Sequence, residues 1–212
     1  MKWVSSSAQR CCVESWENDG CRSTDNMLAL TLDTAPLLDW LDERPAGLNV
    51  AQILQWHSAG LIEVAISNRV FDPDTSRMQQ HQQRRLRDKL ENLGVVVTPS
   101  SFRLGISRWS SGDVWSGQET QRTLEEMRLF GKIVGPDPNS LHPSAVGGRL
   151  FNKLGDWDAL RDHYSQGRDV FITTDIREYF DRSRRERYAA DLGLKIQSPE
   201  EFVADFRERR GS

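Results

Sequence analysis

The chain has 212 residues and a mass of 24.3 kDa, enough for one well-buried core and cramped for two. Its hydrophobic share is 37%, its charged share is 28%, and no apolar run approaches the ~20 residues of a membrane helix, so a soluble chain without a membrane partner is expected. A formal charge of -3 excludes a uniformly basic coat, and any polyanion has to be met by local patches.

All three cysteines, Cys11, Cys12 and Cys21, lie near the start. They form no CxxC pair and lack a fourth ligand at metal-site spacing, which argues against zinc. Their absence from the rest of the chain fits a reducing cytoplasm. Residues 1–26 also lack the apolar centre of about 7–15 residues that a secretory signal needs. They are expected to be a poorly structured extension, with Met27 as the expected native start because it directly precedes the first strand pattern.

From Met27 onward, apolar runs alternate with helical segments. "MLALTL" is a continuous apolar run that suits a strand covered on both faces, and Asp33 follows it. "APLLDWLDE" places Leu37, Leu38 and Leu41 at helical spacing, with Pro36 in the first turn. A second amphipathic helix runs from Val50 to Ser58, with Gly60 as its stop. "IEVAIS" is the next strand, and the polar stretch from Asn68 to Gly94 is read as helical, with Asp72 and Asp74 at its entrance. "VVVTP" is a third strand. Ser100 to Gly148, rich in Gly, Ser and Pro around one helical segment, reads as an irregular insertion. The last third repeats the pattern with a helix from Asp156 to Gln166, the strand Val170 to Thr173, the acid Asp175 and a charged helix. After the strand "LKI", Ser198, Pro199 and Glu201 supply a cap, a first helical residue and a capping box. The expected fold is a three-layer α/β/α sandwich with a mainly parallel sheet over 27–206, an insertion around 100–148 and a tail at 207–212.

Asp33 and Asp175 both follow strands, where open α/β sheets place ligand-contacting groups. Asp156, Asp158 and Asp162 lie on or before the helix that feeds the late strand, and Asp158 and Asp162, four apart, share a helix face. Asp175 in "TTD" also reads as an ordinary helix cap if it stands alone. Several carboxylates gathered in one crevice raise one another's pKa unless a cation joins them. A hard ion such as Mg²⁺ or Mn²⁺ suits oxygen ligands and keeps waters, one of which can attack a phosphate.

The stretches "LALTLDTAPLLDWL", "LIEVAISNRVFDPD" and "GDWDALRDHYSQGRDVFITTDI", followed by "ADLGLKIQSPEEF", resemble a PIN-domain nuclease over most of Met27 to Phe206. The resemblance implies a PIN-like fold and hydrolysis of RNA phosphodiester bonds with Mg²⁺ or Mn²⁺. It implies an acid after the first strand, matched by Asp33, and an acid at the start of a mid-chain helix, matched by Asp72 with Asp74 as alternate. It further implies an acid on the late helix, matched by Asp158 with Asp156 and Asp162 as alternates, and one after the late strand, matched by Asp175. RNA is the implied substrate, and an antitoxin-like inhibitor or a second copy of the chain is a possible partner. The alternative is a non-catalytic PIN-like module that holds RNA or protein. A phosphatase of the haloacid-dehalogenase type needs a second Asp two residues after the first, and Asp33-Thr34-Ala35 lacks it.

Two arginine runs, "RRLR" (Arg84–Arg87) and "RSRRER" (Arg182–Arg187), are candidate phosphate contacts, although such runs are more often solvated faces. Ser67, Asn68 and Thr174 are polar groups at strand ends, suited to bonding the acids or to turns. His163 is expected to make an ordinary hydrogen bond on its helix rather than join the site. Trp109 and Trp115 in the insertion are read as pinning that loop to the core, with base stacking as the lesser reading.

Overall fold

The computed structural model describes residues 27–71, 79–98, 129, 131–134, 157, 159–176 and 180–211. Five strands, β1 (Leu28–Leu32), β2 (Ile62–Ser67), β3 (Val96–Thr98), β4 (Val170–Ile172) and β5 (Lys195–Gln197), form one sheet in the order β3-β2-β1-β4-β5. Every pairing in it is parallel. A parallel neighbour requires the chain to return to the other end of the sheet, and helices make that return. They are α1 (Thr34–Leu41), α2 (Gly47–Ser58), α3 (Gln80–Asn92), a turn at 131–134 (α4), the helix at 159–165 (α5), α6 (Arg182–Leu192) and α7 (Pro199–Gly211). The chain builds outward from β1 to β3, then crosses back to the other side of β1 and builds outward again to β5.

Alternation along each strand splits the core in two. Leu30, Leu32, Ile62, Val64, Ile66, Val170 and Ile172 face α1, α2, α3 and α7, which supply Leu37, Ile53, Leu86 and Phe202 among others. Phe171 and Ile196 face the opposite way, toward Trp157, Leu160 and Tyr188 on the α5 and α6 side. The result is a three-layer α/β/α sandwich. Each fully buried Leu or Ile removes apolar surface worth about 1.5–3 kcal/mol, so the first face carries most of the hydrophobic stabilisation. Trp56 of α2 fixes the C-terminal helix against that face, with its ring 4.6 Å from Phe206.

Several boundaries differ from the sequence reading for local reasons. The second helix begins at Gly47, and Gly60 ends it at φ +68, a left-handed conformation that glycine adopts at low cost. The stretch after β2 begins with a 3-10 turn at Asn68–Phe71, and α3 starts at Gln80, where Gln79 and Gln82 exchange side-chain bonds with each other's backbone. Gly167, at φ +59, turns the chain from α5 into β4. The capping box read at Ser198 is present: the Glu201 carboxylate accepts from Ser198 N–H at 2.8 Å and Ser198 Oγ from Glu201 N–H at 3.1 Å. Among the described residues no helix is long and apolar enough to cross a membrane. The insertion, with Trp109 and Trp115, lies outside the described residues.

The α5 face carries a polar seam that the first face lacks. His163, 1% exposed, places Nδ1 2.9 Å from Thr31 Oγ1 of β1, while its Nε2 is buried without a hydrogen-bond partner among the described residues. Ser67 Oγ at the end of β2 donates to the Asp162 carboxylate at 2.9 Å. Arg168 at the foot of β4 donates from Nε to Leu30 O at 3.0 Å and from Nη1 to the Glu63 carboxylate at 2.8 Å. These bonds fix the register of α5 against the sheet where apolar contact alone would let it slide.

Burial, and secondarily the nearby Arg168 charge, push the His163 imidazole down from 6.5 to about 3. The unfolded chain therefore takes up a proton below its ordinary value that the folded chain refuses. Stability from this group is whole above that value and falls as pH drops from about 6.5 toward 3, at up to about 1.4 kcal/mol per pH unit. Urea midpoints are expected to fall between pH 7 and pH 4.5, more steeply in wild type than in His163→Gln. Parallel curves for the two proteins would show that His163 does not carry the effect.

Candidate active site

The strand order reverses between β1 and β4, and open parallel sheets bind ligands in the crevice outside the strand ends at such a reversal. Register places polar residues there. Leu32 lies opposite both Ile66 and Ile172, so the next residues, Ser67, Asp33 and Thr173, stand side by side on the rim, with Thr98 beside Ser67. Asp33 extends the β1–β4 ladder by one bond, its N–H donating to Ile172 O at 2.9 Å.

The Asp33 side chain is 6% exposed and held at both oxygens. Oδ1 accepts from Thr34 N–H at 2.7 Å, which makes Asp33 the N-cap of α1. Oδ2 accepts the Thr173 hydroxyl at 2.7 Å. Thr173, 0% exposed, then accepts Asp175 N–H on the same Oγ1 at 3.1 Å, so one hydroxyl ties the two acids' positions together. Burial raises the Asp33 pKa above the usual carboxylate value; the bonds from Thr173 and Thr34 oppose this, and the Asp175 charge adds to it. Asp33 is thus a largely dehydrated acid within electrostatic reach of a second, half-buried acid.

The structure brings together Asp33 and Asp175 of the residues read from sequence. The charged helix α6 is capped by Asp181, which accepts from Arg184 N–H at 3.1 Å. Asp162 is buried on α5 and engaged with Ser67 and Arg161. Among the described residues no three acids, histidines or cysteines converge closely enough to hold a metal ion, so the described part of the site is the Asp33–Asp175 pair. Asp72, Asp74, Asp156 and Asp158 lie outside the described residues.

Two features escaped the sequence reading. The hydroxyl that serves the acids belongs to Thr173, not Thr174, because alternation turns Thr173 inward and leaves Thr174 exposed. The seam partner Thr31 was hidden inside an apolar strand; only its polarity in an otherwise buried run marked it. Of the two arginine runs, the one on α6 is largely occupied by bonds within the protein. No family model, curated protein or solved structure matches the chain.

Replacing Thr173 by Val removes the donor from a buried carboxylate oxygen at nearly constant volume, a change that costs about 1–3 kcal/mol. Thermal or urea denaturation of Thr173→Val is expected to show a loss of that order, and Thr173→Ser to recover most of it. An unchanged stability in Thr173→Val, with a loss only in Thr173→Ser, would assign the contribution to packing of the methyl group rather than to the hydroxyl.

Proposed function

We propose that the chain is a Mg²⁺- or Mn²⁺-dependent ribonuclease of the PIN type, hydrolysing RNA phosphodiester bonds at the rim between β1 and β4. The observation that carries this reading is the buried Asp33 carboxylate, with its raised pKa, beside Asp175 at the reversal of strand order. Burying one acid beside another is unfavourable unless a cation joins them. The pair fits a hard divalent ion, since both side chains offer carboxylate oxygens and a phosphate substrate would bring more.

Asp33 and Asp175 would hold the ion, with Asp72 or Asp74 and Asp158 or Asp156 as the proposed further acids. A bound ion of this kind lowers the pKa of a coordinated water and offsets charge on the phosphate. The chain's own contribution is positional. Thr173 and the first turn of α1 fix the Asp33 oxygens, so the carboxylate does not reorganise when charge develops nearby. The bond that Asp175 N–H donates to Thr173 Oγ1 keeps the second acid in step with the first.

One observation favours the non-catalytic alternative, in which the domain only holds RNA or protein: both Asp33 oxygens already accept bonds within the fold, one of them as a helix cap. Asn substitution separates the readings, because Asn is as good a cap as Asp and keeps the fold while removing the charge. A purified full chain is expected to cleave fluorescent single-stranded RNA with Mn²⁺, and Asp33→Asn or Asp175→Asn to lose at least ~10–100-fold in rate. Cleavage that is equal in all three proteins would be a contaminant's. RNA binding without cleavage would establish the non-catalytic module.

The same variant makes a stability statement. A carboxyl whose folded pKa is raised contributes most at low pH and loses that contribution as pH rises through the folded pKa. Without metal at pH 7, Asp33→Asn is therefore expected to melt at or above the wild-type temperature, by roughly 2–4 °C for each kcal/mol relieved. A lower melting point would mean that the charged carboxylate stabilises the fold unaided.

A further inference from the structure

We propose that single-stranded RNA reaches the acid pair along the outer face of α3, through Arg84, Arg85 and Arg87, and that the longer arginine run on α6 takes no part. The proposal rests on the ribonuclease reading for what lies at the end of the track. The binding itself is independent of that reading.

The two helices are alike in sequence charge, and their bonding separates them. On α6, Arg182 Nε is 2.8 Å from the Glu186 carboxylate, Arg184 Nε 3.3 Å from Asp181 and Arg185 Nη1 2.9 Å from Glu201. Arg187 donates to the carbonyl of Ile133 on α4 at 2.7 Å. A phosphate on this helix would have to displace charge-assisted bonds already made.

On α3 the guanidinium groups stand ready. Arg84 is exposed and has no hydrogen bond or ion pair among the described residues. Among the described residues Arg85 reaches only the exposed Glu43, at 3.9 Å. Arg87 sits over the Phe71 ring, its Cζ 4.4 Å from the centroid, and its N–H groups have no hydrogen-bond partner among the described residues.

Position completes the argument. Phe71 follows the end of β2 by four residues, and a parallel return carries α3 away from that rim toward the start of β3. Arg84 and Arg85 therefore occupy the half of α3 nearer the crevice and Arg87 lies one residue past its midpoint, and among the described residues neither Asp88 nor Glu91, four positions after Arg84 and Arg87, forms an ion pair with them. Arg84 and Arg87, three apart, share one face. No acid in the first turn of α3 neutralises them.

The test is fluorescence anisotropy of a labelled oligouridine of about 16 nucleotides with the full chain in EDTA, so that binding is read without cleavage. Each phosphate contact contributes about 0.7 to the slope of log affinity against log salt for single strands, so Arg84→Ala/Arg85→Ala/Arg87→Ala is expected to reduce that slope by about 2 between ~50 and ~200 mM salt. Arg182→Ala/Arg184→Ala should leave the slope unchanged. If circular dichroism shows the triple variant unfolded, Arg84→Ala alone is read instead, with an expected reduction of about 0.7. A wild-type slope in the α3 variants, a reduced slope in the α6 variant, or no salt-dependent RNA binding by wild type would each overturn the proposal. A reduced slope in a protein that never cleaves would leave the track standing and remove only the ribonuclease reading.

Discussion

The contact on which the site depends is the bond from the Thr173 hydroxyl to the Asp33 carboxylate, between residues 140 positions apart. It forms because β1 and β4 are parallel neighbours with Leu32 opposite Ile172, so the residue after each strand arrives at the same height on the same face. Slipping that pairing by one residue would turn one of the two side chains to the opposite face and separate the acids. The apolar core sets this register: Leu30, Leu32, Val170 and Ile172 are all buried on the opposite face and could not be exchanged for Thr31 and Phe171 without putting a hydroxyl into that apolar layer. Geometry at the rim is thus enforced by hydrophobic contacts one layer away.

The two faces of the sheet do different work. The face under α1, α2, α3 and α7 is apolar and supplies stability. The face under α5 trades some of that for direction, with His163 on Thr31, Asp162 on Ser67 and Arg168 on Glu63. Buried polar pairs of this kind contribute little net free energy when satisfied but are costly to misplace, which makes them useful for fixing one arrangement. Their position is informative, because the seam runs beside Asp33 and ends at the rim where Ser67 and Asp33 are neighbours. Placing a dehydrated acid there costs stability, because burial disfavours its charged form.

Much of the fold was legible because apolar runs of strand length alternate with helical periods, and the local rules behind that alternation hold here. The Ser198 capping box, Pro199 in a first helical turn and the stop at Gly60 depend on residues within a few positions of one another. Asp33 and Asp175 were legible as acids at strand ends. What could not be read depends on partners distant in sequence. Arg168 meets Glu63 at a separation of 105 residues, a pairing that no local pattern marks. The "RSRRER" run looked available to phosphate until Glu201 and the carbonyl of Ile133 were found to engage it. Asp33 proved to be both a helix cap and half of an acid pair, two roles that sequence reading had treated as alternatives for such an acid. Asp72 and Asp158, expected by resemblance, lie outside the described residues.

The central claim is that Asp33 and Asp175 share one cation, and anomalous diffraction from crystals of the full chain grown with Mn²⁺ tests it directly. The account expects an anomalous peak with oxygens of both carboxylates within about 2.0–2.3 Å, the range for small hard divalent ions. A well-ordered rim with no peak between the two acids, or a peak bound by neither, would contradict it.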